Sequence, residues 1–197
     1  MFLFLLIKFF FNCSAANAVG SICEYLLKRY SYRDYHVSRL FIYYNGQVIN
    51  QGSRRVEDWG VPTKDIILGM REYGFCHERI WPYDGKFINR EPRNSAYDQA
   101  FYHTVVPLCI PCNIKAIETC LHNNIPVPID IILLDGAGTA IQANHGLLPL
   151  PNLNNPAIEK TQIHTVLIVG YDRDRRYFIV RNSWGKNWVS FFFIFLI

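Results

Sequence analysis

Apolar residues recur along this chain with two different periods, and the change between them falls near its middle. In the first half the spacing is helical. From Cys13 to Tyr30 the apolar positions Ala15, Val19, Ile22 and Leu26 follow one another at steps of four, three and four. Ala15, Ala16, Ala18 and Gly20 keep one side of this helix small, so neighbouring backbone can approach closely. Asn12 is a candidate N-cap, and Glu24, Lys28 and Arg29 fall toward the solvent side. Arg33 to Asn50 is rich in aromatic residues and carries a turn signal at Asn45-Gly46. Thr63 to Tyr73 predicts a second helix, with Thr63 as cap, Asp65 in the first turn, Gly74 past the end, and Ile66, Met70 and Tyr73 on the apolar face. Trp81-Pro82-Tyr83 follows as extended chain. Ser95 to His103 is a weaker helix. Asn113 to Leu121 is a stronger one, capped by Asn113, with Ile114, Ile117 and Leu121 on one face.

Beyond it the pattern turns to strand. Ile125 to Leu134 is the first strong candidate, and Pro126 and Pro128 place its start at a sheet edge. Asp135 to Ile163 reads as a long loop region with several Gly and Pro residues. Thr165 to Tyr171 and Tyr177 to Val180 then flank the polar Asp172-Arg173-Asp174-Arg175, which predicts a β-hairpin. Periodicity alone therefore gives an α+β chain, helical first and strand-rich second, dividing near residue 104.

Composition narrows the class. The chain has 197 residues, half of them hydrophobic and 18% charged, which suits a globular unit with a real core. The net charge of +4 is spread without a basic block, so nothing points to nucleic acid. The apolar run over residues 1–11 is broken by Lys8 and is too short for a membrane span, which needs about 20 residues. Ala16-Asn17-Ala18 has the form of a signal-peptidase site, but cleavage there would remove Cys13. Six cysteines make an even count that sets no compartment, and Cys23 and Cys120, on apolar helix faces, read as buried thiols.

The chemistry gathers at the hairpin. His164 and Asn182 lie symmetrically about Arg173, inside the loop, so a regular hairpin sets them opposite each other with Cβ atoms roughly 5 Å apart. An amide beside an imidazole fixes which ring nitrogen faces a nucleophile. Cys13 supplies that nucleophile: a thiol at a helix N-terminus feels the positive end of the macrodipole, which favours thiolate. Cys, then His, then Asn is the order of papain-like proteases, whose His and Asn follow the Cys by about 130–150 residues in the best-known members. The spacing here is slightly longer.

Asn182-Ser183-Trp184-Gly185 resembles the Asn-Ser-Trp-Gly signature of the papain family, and the stretch from His164 to Asp172 resembles its His-Ala-Val strand. Cys13-Ser14-Ala15-Ala16-Asn17-Ala18 is similar to the Cys-Thr-Ala-Asn-Ala form of the nucleophile helix found in a mainly microbial branch. Ser38 to Asn45 and Trp81-Pro82-Tyr83-Asp84 resemble that branch too. The resemblance covers roughly residues 12 to 188. It implies a helical subdomain over 12–104, an antiparallel β-barrel-like subdomain over 105–188, and a cleft between them. It also implies a monomeric peptidase acting on peptide or protein substrates without metal or cofactor. Cys13, His164 and Asn182 would be catalytic, and Trp184 would shield the Asn–His contact from water. In the family an oxyanion glutamine lies six residues before the nucleophile, where this chain has Ile7, and a glycine usually precedes the histidine, where it has Ile163. Tyr43, Tyr44, Trp81 and Tyr83 read as core rather than as walls of the cleft.

Two other readings accompany this one. Loss of the oxyanion glutamine allows a papain-like peptide binder without chemistry. Cys109-Ile110-Pro111-Cys112 has the form of a thiol–disulfide motif before a helix, though no βαβ pattern surrounds it. A zinc site from Cys109, Cys112, Cys120 and His122 fails on spacing, because Cys120 and His122 are two apart and share no helix face. The phenylalanine-rich leader over 1–11 and the apolar tail over 189–197, which opens with Val189-Ser190, are what splice acceptor and donor sequences encode, so both ends read as translated intron. A transcript that runs contiguously through both junctions overturns that reading.

Overall fold

A computed structural model of the chain describes residues 12–31, 34–100, 106–134, 136–148, 161–184 and 191–195. The chain divides into two compact units, one from Lys8 to Cys109 and one built on Ile110 to Ile197. The first holds helices α1 (Ser14–Ser31), α2 (Arg39–Gln51), α3 (Thr63–Tyr73) and α4 (Asn94–Ala100). The second holds α5 (Ile114–His122), α6 (Ala137–Ala143) and strands β1 (Val127–Leu134), β2 (Thr161–Asp172), β3 (Tyr177–Arg181) and β4 (Phe191–Phe195). The class is α+β, with one unit helical and the other built of two helices and an antiparallel sheet among the described residues.

In the helical unit, α2 is the centre. Leu40, Phe41, Ile42, Tyr43 and Tyr44 are all fully buried, so the helix is covered on every side. Ser38 caps its start: Oγ accepts from Phe41 N at 3.1 Å and donates to the Trp81 carbonyl. Gly52, at φ 63°, ends it. The Asn45-Gly46 pair lies inside this helix, where a turn was expected. The reason is tertiary. A Cβ on Gly46 would stand 2.6 Å from Ile66 Cδ1, and one on Gly69 of α3 would stand 2.9 Å from the Asn45 carbonyl carbon. Two glycines let α2 and α3 meet backbone to backbone, and that packing overrides local turn propensity. Asn45 also satisfies itself within the helix, donating from Nδ2 to Phe41 O and accepting from the Tyr97 hydroxyl.

Helix α1 enters the core N-terminus first: Ser14 to Ser21 are buried without a break. Glu24 does not face solvent as expected. Its Oε1 accepts from Arg39 Nη1 at 2.9 Å and from Val37 N at 2.9 Å. Arg39 is itself buried, and an unpaired guanidinium there would be costly, so Glu24 is drawn inward as its counter-ion. Asn12 does not cap α1 through its side chain but donates to Asp58 O. Helix α3 spans the expected residues, although the capping position falls at Pro62 and Thr63 is its first helical residue.

In the second unit, Asn113 caps α5 as expected, accepting from Ala116 N at 2.9 Å. Its apolar face, centred on Ile117, packs on Val127, Val166 and Ile168 of the sheet. The strand order is β1-β2-β3-β4, each neighbouring pair antiparallel. Among the described residues β1 is an outer strand of the sheet, which is where Pro128 can stand. The region expected to be loop contains α6, seven residues anchored by fully buried Ile141; alanine and glycine dominate it, so its sequence shows one large apolar contact and no helical period.

The close approach of α2 and α3 makes a prediction. Gly69→Ala raises helix propensity by about 1 kcal/mol but forces backbone atoms apart. A net loss of about 1–3 kcal/mol in unfolding free energy is expected, read from the urea midpoint; a variant as stable as the parent removes the backbone-contact explanation.

Candidate active site

His164 and Asn182 are brought together in the sheet unit. His164 Nε2 lies 2.8 Å from Asn182 Oδ1, and each residue is only 5% exposed. Oδ1 also accepts from Ser183 N at 2.8 Å, so it receives two donors and Nε2 carries the hydrogen. That assigns Nδ1 as the ring nitrogen able to exchange a proton elsewhere. The Trp184 ring lies beside the imidazole, with centroids 5.1 Å apart. A Cβ on Gly138 of α6 would come within 3.1 Å of the indole, so α6 backs Trp184 closely.

The expected contact forms through a different register. Asp172 pairs with Tyr177, so residues 173–176 form the turn; Arg176 adopts φ 58°, and Asp172 Oδ1 accepts from Arg175 N. A bulge lies between Ile168 and Gly170, passing over Val169, and the last β2–β3 pair is Leu167 with Arg181. Continued one step, this register sets Asn182 across from Val166, and His164 is the next residue on that face. The contact is diagonal rather than direct, a Cα separation of roughly 7–8 Å that the two side chains span. Without the extra residue Asn182 would fall across from Leu167, on the face away from His164. On its other side His164 pairs with Ile131 of β1. Ile163, the neighbour of His164, is 78% exposed and pairs with the exposed Ile132.

Cys13 belongs to the helical unit, where it immediately precedes α1 and its carbonyl accepts from Asn17 N. The residue is buried. Its Sγ lies 2.9 Å from the Tyr83 hydroxyl and accepts from Asn17 Nδ2 at 3.3 Å. Neither partner was singled out from the sequence as a neighbour of the thiol. Asn17 carried a signal, since residues four apart share a helix face; Tyr83, seventy positions away, carried none. Tyr43, Tyr44 and Trp81 are core, while Tyr83 is half-buried. Glu78 Oε1 accepts from Tyr83 N and so fixes the backbone under the phenol; burial pushes the Glu78 carboxyl up to about 7.

The remaining candidates lie elsewhere. Ile7 and Gly185 are outside the described residues. Cys109 and Cys112 are exposed free thiols, Cys109 ending one unit and Cys112 lying in the other. Among the described residues no group of three His, Cys, Asp or Glu side chains could hold a metal, and no helix is long and apolar enough to cross a membrane.

The chain belongs to the papain family of cysteine proteases, whose family model matches residues 60–196. That match contains His164, Asn182 and Trp184 and starts beyond Cys13. An uncharacterized peptidase C1-like protein of Acanthamoeba polyphaga mimivirus is 26% identical over 187 residues, which cover 90% of this chain and 58% of the viral protein. The chain thus spans less than two thirds of that relative. Among solved structures, xylellain, a cysteine protease from Xylella fastidiosa, superposes with a TM-score of 0.77 at 25% identity, over 93% of this chain and 73% of its own. Digestive procathepsin L 3 of Tenebrio molitor larval midgut has the same fold, with a TM-score of 0.62 at 18% identity, over 94% of this chain and 58% of its own.

Glu78 gives the helical unit a pH dependence. Its carboxyl titrates higher folded than unfolded, so the folded state holds the extra proton. The stability this confers is complete below the ordinary carboxylate range, near pH 4.5, and is lost as pH rises through about 7. Thermal unfolding across that window should show a decline on the order of 1–3 kcal/mol, and Glu78→Gln should flatten it. An equal decline in the variant assigns the effect to another group.

Proposed function

We propose that this chain is a cysteine peptidase acting on peptide or protein substrates, with Cys13 as nucleophile, His164 as general acid and base, Asn182 as the residue that orients His164, and Trp184 as its shield. The observation that carries the reading is the buried His164–Asn182 hydrogen bond, which leaves Nδ1 for proton exchange, in a chain that begins a buried helix directly after a cysteine. Cys13 Sγ attacks the scissile carbonyl carbon while the imidazolium gives its Nδ1 proton to the leaving amine, producing a thioester acyl-enzyme. His164 then takes a proton from water, the hydroxide oxygen adds to the thioester, and the acid product leaves as the thiolate is restored. Exclusion of water around the Asn182–His164 pair strengthens that bond by lowering the local dielectric.

The oxyanion in both steps needs donors. By the family's spacing the side-chain donor position is Ile7, which has none, and the Cys13 backbone N–H is the donor that remains. That substitution favours a second reading, a peptide binder that retains the fold and has lost turnover.

An epoxysuccinyl probe and a fluorogenic peptide separate the two. The peptidase reading expects labelling at Cys13, loss of both labelling and cleavage in Cys13→Ala, and a fall of at least about tenfold in kcat for Asn182→Ala. Ile7→Gln should raise kcat, by up to about 10²–10³-fold for one restored oxyanion donor. Saturable peptide binding with no cleavage, unchanged by Ile7→Gln, would establish the binder instead.

A further inference from the structure

We propose that Tyr83 is a positioning residue for Cys13: its hydroxyl, together with the Asn17 amide, forms a two-donor cradle that holds the sulfur and stabilises it as thiolate. The proposal rests on the reading of Cys13 as nucleophile. Three observations support it. The Tyr83 hydroxyl is 2.9 Å from Cys13 Sγ, and Asn17 Nδ2 reaches both Sγ, at 3.3 Å, and the Cys13 carbonyl, at 3.0 Å. Among the described residues the sulfur therefore has polar partners on two segments of the helical unit, one a turn along its own helix and one on the Trp81-Pro82-Tyr83 segment.

That segment is fixed from several sides. Ser38 Oγ, which caps α2, donates to the Trp81 carbonyl, and Trp81 is buried against Phe87. Glu78 accepts from the Tyr83 backbone N–H. The backbone that carries the phenol is thus tied at both Trp81 and Tyr83.

The direction of the hydrogen bond follows from proton affinity. Burial first, and then the neighbouring Cys13 charge, push the Tyr83 phenol well above its ordinary range, so it keeps its proton at neutral pH. A protonated phenol beside a thiolate donates to it. Asn17 Nδ2 is a donor in either state of the sulfur. When Cys13 is a thiol, its S–H can point to the phenol oxygen; when the proton leaves, the O–H turns toward sulfur. The cradle thus favours the charged form, in addition to whatever the helix N-terminus contributes.

Tyr83→Phe in the full chain removes one donor and keeps the ring. The readout is the pH profile of iodoacetamide alkylation at Cys13, resolved by peptide mass spectrometry, with exposed Cys109 and Cys112 as references in the same sample. The midpoint at Cys13 should move up by about one pH unit, the scale of one hydrogen bond to a charged acceptor, while the reference midpoints stay. Site-specific 3-fluorotyrosine at position 83, a more acidic donor of nearly the same size, should move the Cys13 midpoint down, and this arm decides the matter if the phenylalanine variant does not fold. Unmoved Cys13 midpoints in folded protein, or a Cys13 that stays unlabelled at every pH, overturn the proposal. A shifted midpoint in a chain that cleaves no peptide leaves the cradle standing and removes the peptidase reading; cleavage with no shift does the reverse.

Discussion

The sheet unit depends on how β2 is pinned. Strand β1 holds it along Val127 to Leu134, and β3 holds its other end from Leu167 to Asp172. Within the stretch paired with β3, at Val169, β2 carries one residue more than its partner. Side chains alternate along a strand, so that single residue decides which face meets which. It sets Asn182 on the side of His164. A histidine paired with β1 through its strand and bonded to Asn182 through its ring has little freedom left, which is what the proposed role in proton transfer needs. The indole of Trp184, pressed against Gly138, completes the restraint.

The helical unit uses another device. Its centre is crowded with large side chains on α2, yet the tightest crossing, between α2 and α3, is made where side chains are missing. The same economy appears on α1, where Gly20 leaves room for the Arg39 guanidinium. Arg39 in turn requires Glu24, and Glu24 fastens Val37, one residue before the Ser38 cap of α2. A buried ion pair is weak evidence for stability in itself, but breaking one partner would strand the other. The polar groups here join the start of α2, the middle of α1 and the segment bearing Tyr83, and Cys13 lies within the hydrophobic cluster of that unit.

Much of this was legible in the chain. Helices α3 and α5 announced themselves by period and by residues at their ends, and the hairpin by two strand-like runs about a polar loop. Symmetry about Arg173 points to the contact between His164 and Asn182 but not to its register, because it takes no account of a bulge. What sequence could not express was three-dimensional crowding. Asn45-Gly46 looks like a turn until Ile66 arrives beside it, and Glu24 looks solvated until Arg39 is known to be buried. Helix α6 lacks the repeated apolar positions by which helices are recognised. The Tyr83–Cys13 contact joins residues that no local pattern links.

Pro128 bears on how the molecule meets its own copies. An outer strand offers unpaired backbone groups to any extended segment that comes alongside, and long apolar borders of this kind seed aggregation. Six of the eight residues of β1, an outer strand among the described residues, are aliphatic, and Pro128 and Asp130 are the exceptions. A proline within it interrupts the row of donors, so an incoming segment finds a gap where continuous zippering would need a bond. The residue that points to an outer strand in the sequence thus also limits the backbone donors that strand can offer.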